Sequence, residues 1–119
     1  MKSLLLLVAL ISLGSSVAFA EVPLASKGVG LSPCSMFNKI VTDDPKWAKD
    51  NYYSWAQGFM AGSNSERIHN KQASAVVNSM SEDEQWEKLK GYCRDHPDRS
   101  FLEGVLVLFL SLPTKPHVE

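Results

Sequence analysis

The sequence predicts an all-α fold, a small bundle of about four helices tied by one disulfide. Apolar residues recur at helical spacing in several segments, and each of these segments opens with a capping residue or an early proline. No segment shows a convincing alternation of apolar and polar residues, the pattern of a half-buried strand. The chain also has two cysteines, Cys34 and Cys93, far apart in sequence.

The first 20 residues have the pattern of a secretory signal peptide. Lys2 precedes the apolar run 4–13, and the segment closes with alanines at positions 18 and 20. This run is too short for a membrane anchor, because about 20 apolar residues are needed to cross a bilayer. We therefore expect cleavage before Glu21, a periplasmic or secreted location, and no membrane attachment after the signal is removed.

The two cysteines of an exported chain indicate one disulfide, Cys34–Cys93. It would close a loop of about 60 residues and contribute about 4 kcal/mol in the chain-entropy model. A redox pair or a metal site is the alternative. The redox pair would normally have the spacing C-x-x-C, and a metal site would need more ligands at closer spacing, so the structural bridge is favoured.

The charge balance disfavours two classes of partner. The chain has 12 basic and 13 acidic residues, and removing Lys2 with the predicted signal leaves 11 basic residues. Neither sign clusters. The sequence therefore predicts neither a nucleic-acid surface nor a basic membrane-binding patch.

After the signal, residues 21–31 contain two glycines and one proline without periodicity, which predicts a flexible leader. A single helical domain is predicted over 32–113. Its first helix would be capped by Ser32, carry Pro33 in its first turn and end near Thr42. Residues 114–119 are expected to form a solvated tail.

The second helix is predicted from Pro45 to about Ser63. Projected at 100° per residue, Gly58 and Gly62 fall on its apolar half. Glycine costs about 1 kcal/mol in a helix interior, so two glycines on one face suggest that another helix crosses closely there. Gly104, on the last predicted helix, supplies the facing small residue, and the three glycines are therefore predicted close-packing positions.

Residues 64–80 are ambiguous. We expect an irregular connection with at most one short helix, and positions 73–77 fit either a helical turn or a short strand. Capping boxes then open two helices, Ser81 with Glu84 and Ser100 with Glu103. The last helix, to about residue 112, is apolar almost all round, which predicts a buried central helix.

No motif indicates catalysis, a metal or a cofactor. His69, His96 and His117 are scattered, the carboxylates read as caps and surface charge, and there is no phosphate loop or dinucleotide fingerprint. We therefore expect no catalytic residues, no metal and no cofactor. The predicted protein is non-enzymatic, and its partner is another protein.

Two residues are candidates for binding that partner. Tyr53 and Met60 lie seven positions apart, on the otherwise polar side of the second helix in the same projection. Tyrosine and methionine are enriched at binding surfaces. Packing beneath 64–80 explains the two residues equally well, so both alternatives stand.

Three segments, "SPCSMF", "WAQGFMAGSN" and "WEKLKGYCRDHPDRSFLEGVLVLFLSLP", resemble small exported helical proteins of Gram-negative bacteria. These are the Tai-type immunity proteins of type VI secretion and looser relatives, and the HdeA-like periplasmic chaperones have a similar outline. Gly58 and Gly62 match the spaced glycines, and Cys34 and Cys93 match the bridging cysteines. Tai-type proteins often have a further cysteine pair, and "NYYSWAQG" stands where one member would be.

The resemblance implies a disulfide-tied helical bundle without catalytic residues. It suggests an immunity or inhibitor protein that blocks a toxin or enzyme in the periplasm. The alternative is an HdeA-like stress chaperone, which must expose apolar surface on acidification. A switch built on the carboxylates would lie near pH 4.

Overall fold

The computed structural model describes residues 28–119, so the predicted signal and most of the predicted leader lie outside the described residues. It contains the helices α1 Cys34–Asp43, α2 Pro45–Ala48, α3 Ser54–His69, α4 Glu82–Asp95 and α5 Phe101–Ser111. A π-helical turn, Lys49–Tyr53, joins α2 to α3 without a break, so the described chain forms four helical rods. The predicted all-α bundle is confirmed.

The Cys34–Cys93 disulfide is also confirmed. It joins the first residue of α1 to the last turn of α4, with the two Cα atoms 4.7 Å apart. Neither cysteine is exposed to solvent. One turn further along α1, the Asn38 side-chain amide donates a hydrogen bond to the Cys93 carbonyl at 2.9 Å, which extends the contact between the two antiparallel helices.

The amino terminus of α1 is capped by tertiary contacts, and the predicted Ser32 cap is wrong. The helix begins after Pro33 with no side-chain cap. Its first N–H groups, of Cys34 and Ser35, donate to the carbonyls of Arg99 and Pro97 at 2.7 and 3.0 Å. The turn between α4 and α5 therefore satisfies two of the donors that a helix leaves free at its start.

The centre of the core is a cluster of three aromatic rings from three different rods. Phe37, Tyr52 and Phe101 lie with each pair of ring centroids 4.9 Å apart, and all three side chains are fully or almost fully buried. Trp86 of α4 packs edge-on against Phe37 at 5.6 Å. Each of the four rods thus contributes one ring to a single contiguous core.

The π turn changes which face of the long helix is buried. Such a turn takes up about one extra residue, so everything after it is rotated by roughly 100° relative to a uniform α-helix. The buried positions become Ala48, Tyr52, Ala56 and Met60. Trp47, which the uniform projection placed inward, is 45% exposed.

The segment after α3 also differs from the prediction in part. α3 continues to His69, and a short strand, β1 Ser74–Ala75, pairs antiparallel with β2 Thr114–Lys115. The short-strand alternative at 73–77 was therefore correct, and the two residues of β2 are exposed, as expected for a solvated tail. On its other side, the backbone of Ala75 is held by the Asn64 amide through two hydrogen bonds of 2.8 Å. A 3₁₀ turn, Val77–Ser79, completes the connection.

The predicted flexible leader was wrong for its last residues. Val29–Leu31 forms a 3₁₀ turn that packs against Trp55 of α3, and Gly30 in this turn is buried. A side chain at position 30 would overlap the indole ring, so glycine is required there by close approach. The described domain therefore begins before residue 32.

Helix α5 is packed differently from the prediction. Close packing at Gly104 is confirmed, but a Cβ there would lie 2.8 Å from Tyr92 of α4, so the neighbour is α4 and not the second helix. The helix is also not buried all round, because Val107 and Leu110 are 55% and 70% exposed.

Replacing Gly30 by alanine should lower the free energy of unfolding by about 1–3 kcal/mol, the usual cost of overpacking. Thermal and urea unfolding followed by circular dichroism would measure it. Gly28→Ala is not a suitable control because Gly28 has a φ of 109°. Ser35→Ala, at an exposed position of α1, should leave stability unchanged, and a Gly30→Ala protein as stable as this control would contradict the packing.

The two capping boxes should make the fold sensitive to acid. Hydrogen bonds from Ser81 lower the pKa of Glu84, and the Ser100 backbone N–H lowers the pKa of Glu103. A lowered folded-state pKa contributes stability above the ordinary value of 4.5, and this is lost as the pH falls through the lowered value. In the double variant Glu84→Gln/Glu103→Gln, the amide oxygens still accept the cap hydrogen bonds but do not titrate. The free energy of unfolding of this variant should therefore fall less steeply below about pH 4.5 than that of the wild-type protein. An equal fall in the wild-type protein and the double variant would contradict this role of the two glutamates.

A candidate protein-binding surface

The solvent face of the first part of α3, residues 54–65, is made of small uncharged residues. No residue from 54 to 65 is charged, and the exposed positions are Ser54, Gly58, Ala61, Gly62 and Ser65. A Cβ built on Gly58 or Gly62 meets no described atom within 4 Å. The predicted close packing of these two glycines is therefore wrong, because the π turn rotates them out of the core. Solvated helix faces normally carry charged residues, and on α3 these begin only at Glu66.

An aromatic pair stands beside the glycines. The rings of Trp55 and Phe59 are stacked, with centroids 5.5 Å apart, and both are half-buried. Phe59, the two glycines, Ser63 and Glu66 line an open groove of about 480 Å³, which we call the α3 groove. Glu66 is the single charged residue of this lining.

The two residues predicted to bind a partner, Tyr53 and Met60, differ in burial. Met60 is completely buried in the core, so the binding prediction is wrong for it. Tyr53 is half-buried, with its ring against Trp86 at 6.4 Å and its hydroxyl 3.4 Å from Gln85 Oε1. Burial is the main reason that the pKa of Tyr53 is raised.

Tyr53 lines a cavity of about 540 Å³ between α3, α4 and the segment 74–80. The polar groups around it are largely used within the fold. The Gln85 amide donates to the carbonyls of Val77 and Met80 at 2.8 and 2.9 Å, and its oxygen accepts from Gln57 at 2.9 Å. This network holds 74–80 in place, which assigns the cavity a structural role.

Helix α5 presents a second face that no described residue covers. Leu106 is half-buried, and Val107 and Leu110 are largely exposed. Glu103 is the only charged residue in the helix, and its carboxylate lies 3.3 Å from the Arg99 guanidinium. Two helices of the bundle thus present faces that are poor in charge.

The possible metal ligands of the described chain do not form a metal-binding group. His96 packs against the Tyr92 ring at 4.6 Å, and His69 and His117 lie in distant parts of the sequence. Within residues 28–119, no group of three or more His, Cys, Asp or Glu side chains has the geometry to hold a metal ion. The helix surfaces are therefore the more informative features.

Comparison of the chain with protein-family models, with curated proteins and with solved structures found no match. No helix in the part of the chain that the structure describes is long and apolar enough to cross a membrane. The surfaces of the fold are therefore the basis for a functional proposal.

Gly58→Ala and Gly62→Ala should each raise the free energy of unfolding, by up to about 1 kcal/mol, because alanine is the better helix former and the space is open. The matched control is Gly104→Ala, which should destabilise because its methyl group would meet Tyr92. Urea unfolding of the three variants provides the comparison. Lower stability of both α3 variants would show that the two glycines are packing positions after all.

Proposed function

We propose that this protein is a small exported binding protein that inhibits another protein, in the manner of an immunity factor. The observation that carries the proposal is the uncharged face of α3 over residues 54–65, with two exposed glycines beside a stacked aromatic pair. Each glycine costs the helix about 1 kcal/mol relative to alanine, and no described contact compensates for it. A binding role would account for this cost.

The shape of the α3 groove suits a protein partner. Side chains normally hold two helix axes about 8–10 Å apart, and glycines allow a segment of a partner to approach the backbone more closely. Trp55 and Phe59 supply apolar aromatic area at its edge, the type of side chain that dominates binding energy at interfaces.

Compartment and resemblance support the same function. The disulfide favours an oxidising environment, and with the signal pattern it supports a periplasmic or secreted location. The resemblance to Tai-type immunity proteins points to a toxin or an enzyme as the target. The proposal needs no cofactor and no catalytic residue.

The test is capture of the partner with matched variants. Immobilised mature protein is exposed to periplasmic extract of the source bacterium, and a protein retained in stoichiometric amount is identified by mass spectrometry. Gly62→Leu should fold but lose the partner, because leucine fills the α3 groove. Lys39→Leu places the same side chain on the exposed surface of α1, and this variant should retain the partner.

Two outcomes would contradict the proposal. One is that no stoichiometric partner is recovered by the wild-type protein. The other is that Gly62→Leu and Lys39→Leu retain the partner equally, which would exclude the α3 groove as the binding surface.

An HdeA-like chaperone is the second candidate. It is favoured by the dependence of two helix starts on ionised Glu84 and Glu103, and by the uncovered apolar face of α5. Loss of both caps in acid would loosen α4 and α5 and expose more apolar surface. Analytical ultracentrifugation and circular dichroism at pH 2–3 test this, and a folded monomer under these conditions would contradict it.

A further inference from the structure

We propose that the cleft between α1 and α4 binds a carboxylate-bearing segment of the partner protein. This inference rests on the proposed function, because it assumes a protein partner, but it concerns a different surface from the α3 groove. The cleft has a volume of about 410 Å³ and is lined by Phe37, Asn38, Val41, Thr42, Lys90 and Arg94.

The cleft combines an apolar floor with a cationic rim. Val41 is half-buried and supplies the apolar surface that a ligand can reach, because Phe37 at the base of the cleft has no solvent exposure. Lys90 and Arg94 are one helical turn apart on α4, and no carboxylate belongs to the lining. An acidic residue next to an apolar one would match both features.

Within the cleft, charge pairing distinguishes Arg94 from Lys90. Lys90 already has an acidic neighbour, because its Nζ lies 2.6 Å from Glu87 Oε1. Arg94 has no ion pair with any residue of 28–119. The sequence carries more acidic than basic residues, yet this cleft is cationic.

The walls of the cleft are held rigidly by the disulfide. Arg94 directly follows Cys93, whose bridge to Cys34 joins the two helices at one end. The Asn38 amide donates to the Cys93 carbonyl at 2.9 Å, and the Thr42 hydroxyl donates to the Asn38 carbonyl at 3.0 Å. A cleft fixed in this way loses little conformational entropy when a ligand binds.

The chemistry of arginine defines the ligand. A guanidinium presents a planar fork of donors that fits a carboxylate with two parallel hydrogen bonds, and such charge-assisted bonds are among the strongest in proteins. The neighbouring side chain of the ligand would lie over Val41. The partner segment is therefore acidic, with a leucine- or phenylalanine-like side chain next to the carboxylate.

The experiment is a titration of the ¹⁵N-labelled mature protein, followed by heteronuclear NMR, with the peptide Ac-Glu-Leu-Phe-Glu-NH₂. Its uncharged analogue Ac-Gln-Leu-Phe-Gln-NH₂ and inorganic phosphate are titrated in parallel. Shifts should be confined to the backbone around Asn38, Val41, Thr42, Lys90 and Arg94. Arg94→Gln should weaken binding about tenfold or more, the loss expected for a charge-assisted pair. Lys39→Gln, which removes a paired cation from α1, should leave binding unchanged.

Several results would overturn the inference. These are equal binding of the uncharged analogue, unchanged binding by Arg94→Gln, or shifts located elsewhere on the protein. If phosphate causes these chemical-shift changes and the peptide causes none, the cleft is a small-anion site instead. If a partner is captured and Arg94→Gln retains it fully, the inference fails while the proposed function stands. If no partner is captured, the proposed function fails, whatever the peptide does.

Discussion

The structure depends on one junction, where the start of α1 meets the end of α4 and the turn that follows it. The Cys34–Cys93 bridge lies there without solvent contact, and the carbonyls of Arg99 and Pro97 accept the first N–H groups of α1. A covalent bond and a set of backbone hydrogen bonds thus fix the same two segments. Because Phe37 is one turn further along α1, the junction also sets its place in the aromatic core.

The π turn is the second constraint, and it connects core packing with the proposed function. It places Ala48 before the turn, Tyr52 within it and Met60 after it on the same buried face. The same rotation turns Gly58 and Gly62 outward. The α3 groove is therefore a consequence of how the long helix satisfies the core.

The two proposed binding surfaces differ in their chemistry. The α3 groove is almost uncharged and aromatic at its edge, whereas the α1–α4 cleft is cationic over an apolar floor. Both are built on regular helices whose inner faces are packed, so substitutions at their exposed positions leave the core intact. Binding can therefore be separated from stability in this small bundle.

Local patterns in the sequence determined the helical class, the starts of α4 and α5, and the disulfide. A capping box needs only residues three positions apart, and two cysteines allow one intramolecular pairing. Tertiary structure decided the cap of α1, the need for glycine at position 30 and the pairing of β1 with β2. These features rest on contacts between residues far apart in sequence. The face presented by Gly58 and Gly62 was likewise decided by the fold, because the phase of a helix beyond a π turn follows from what it packs against, and periodicity alone assigned it to the wrong side.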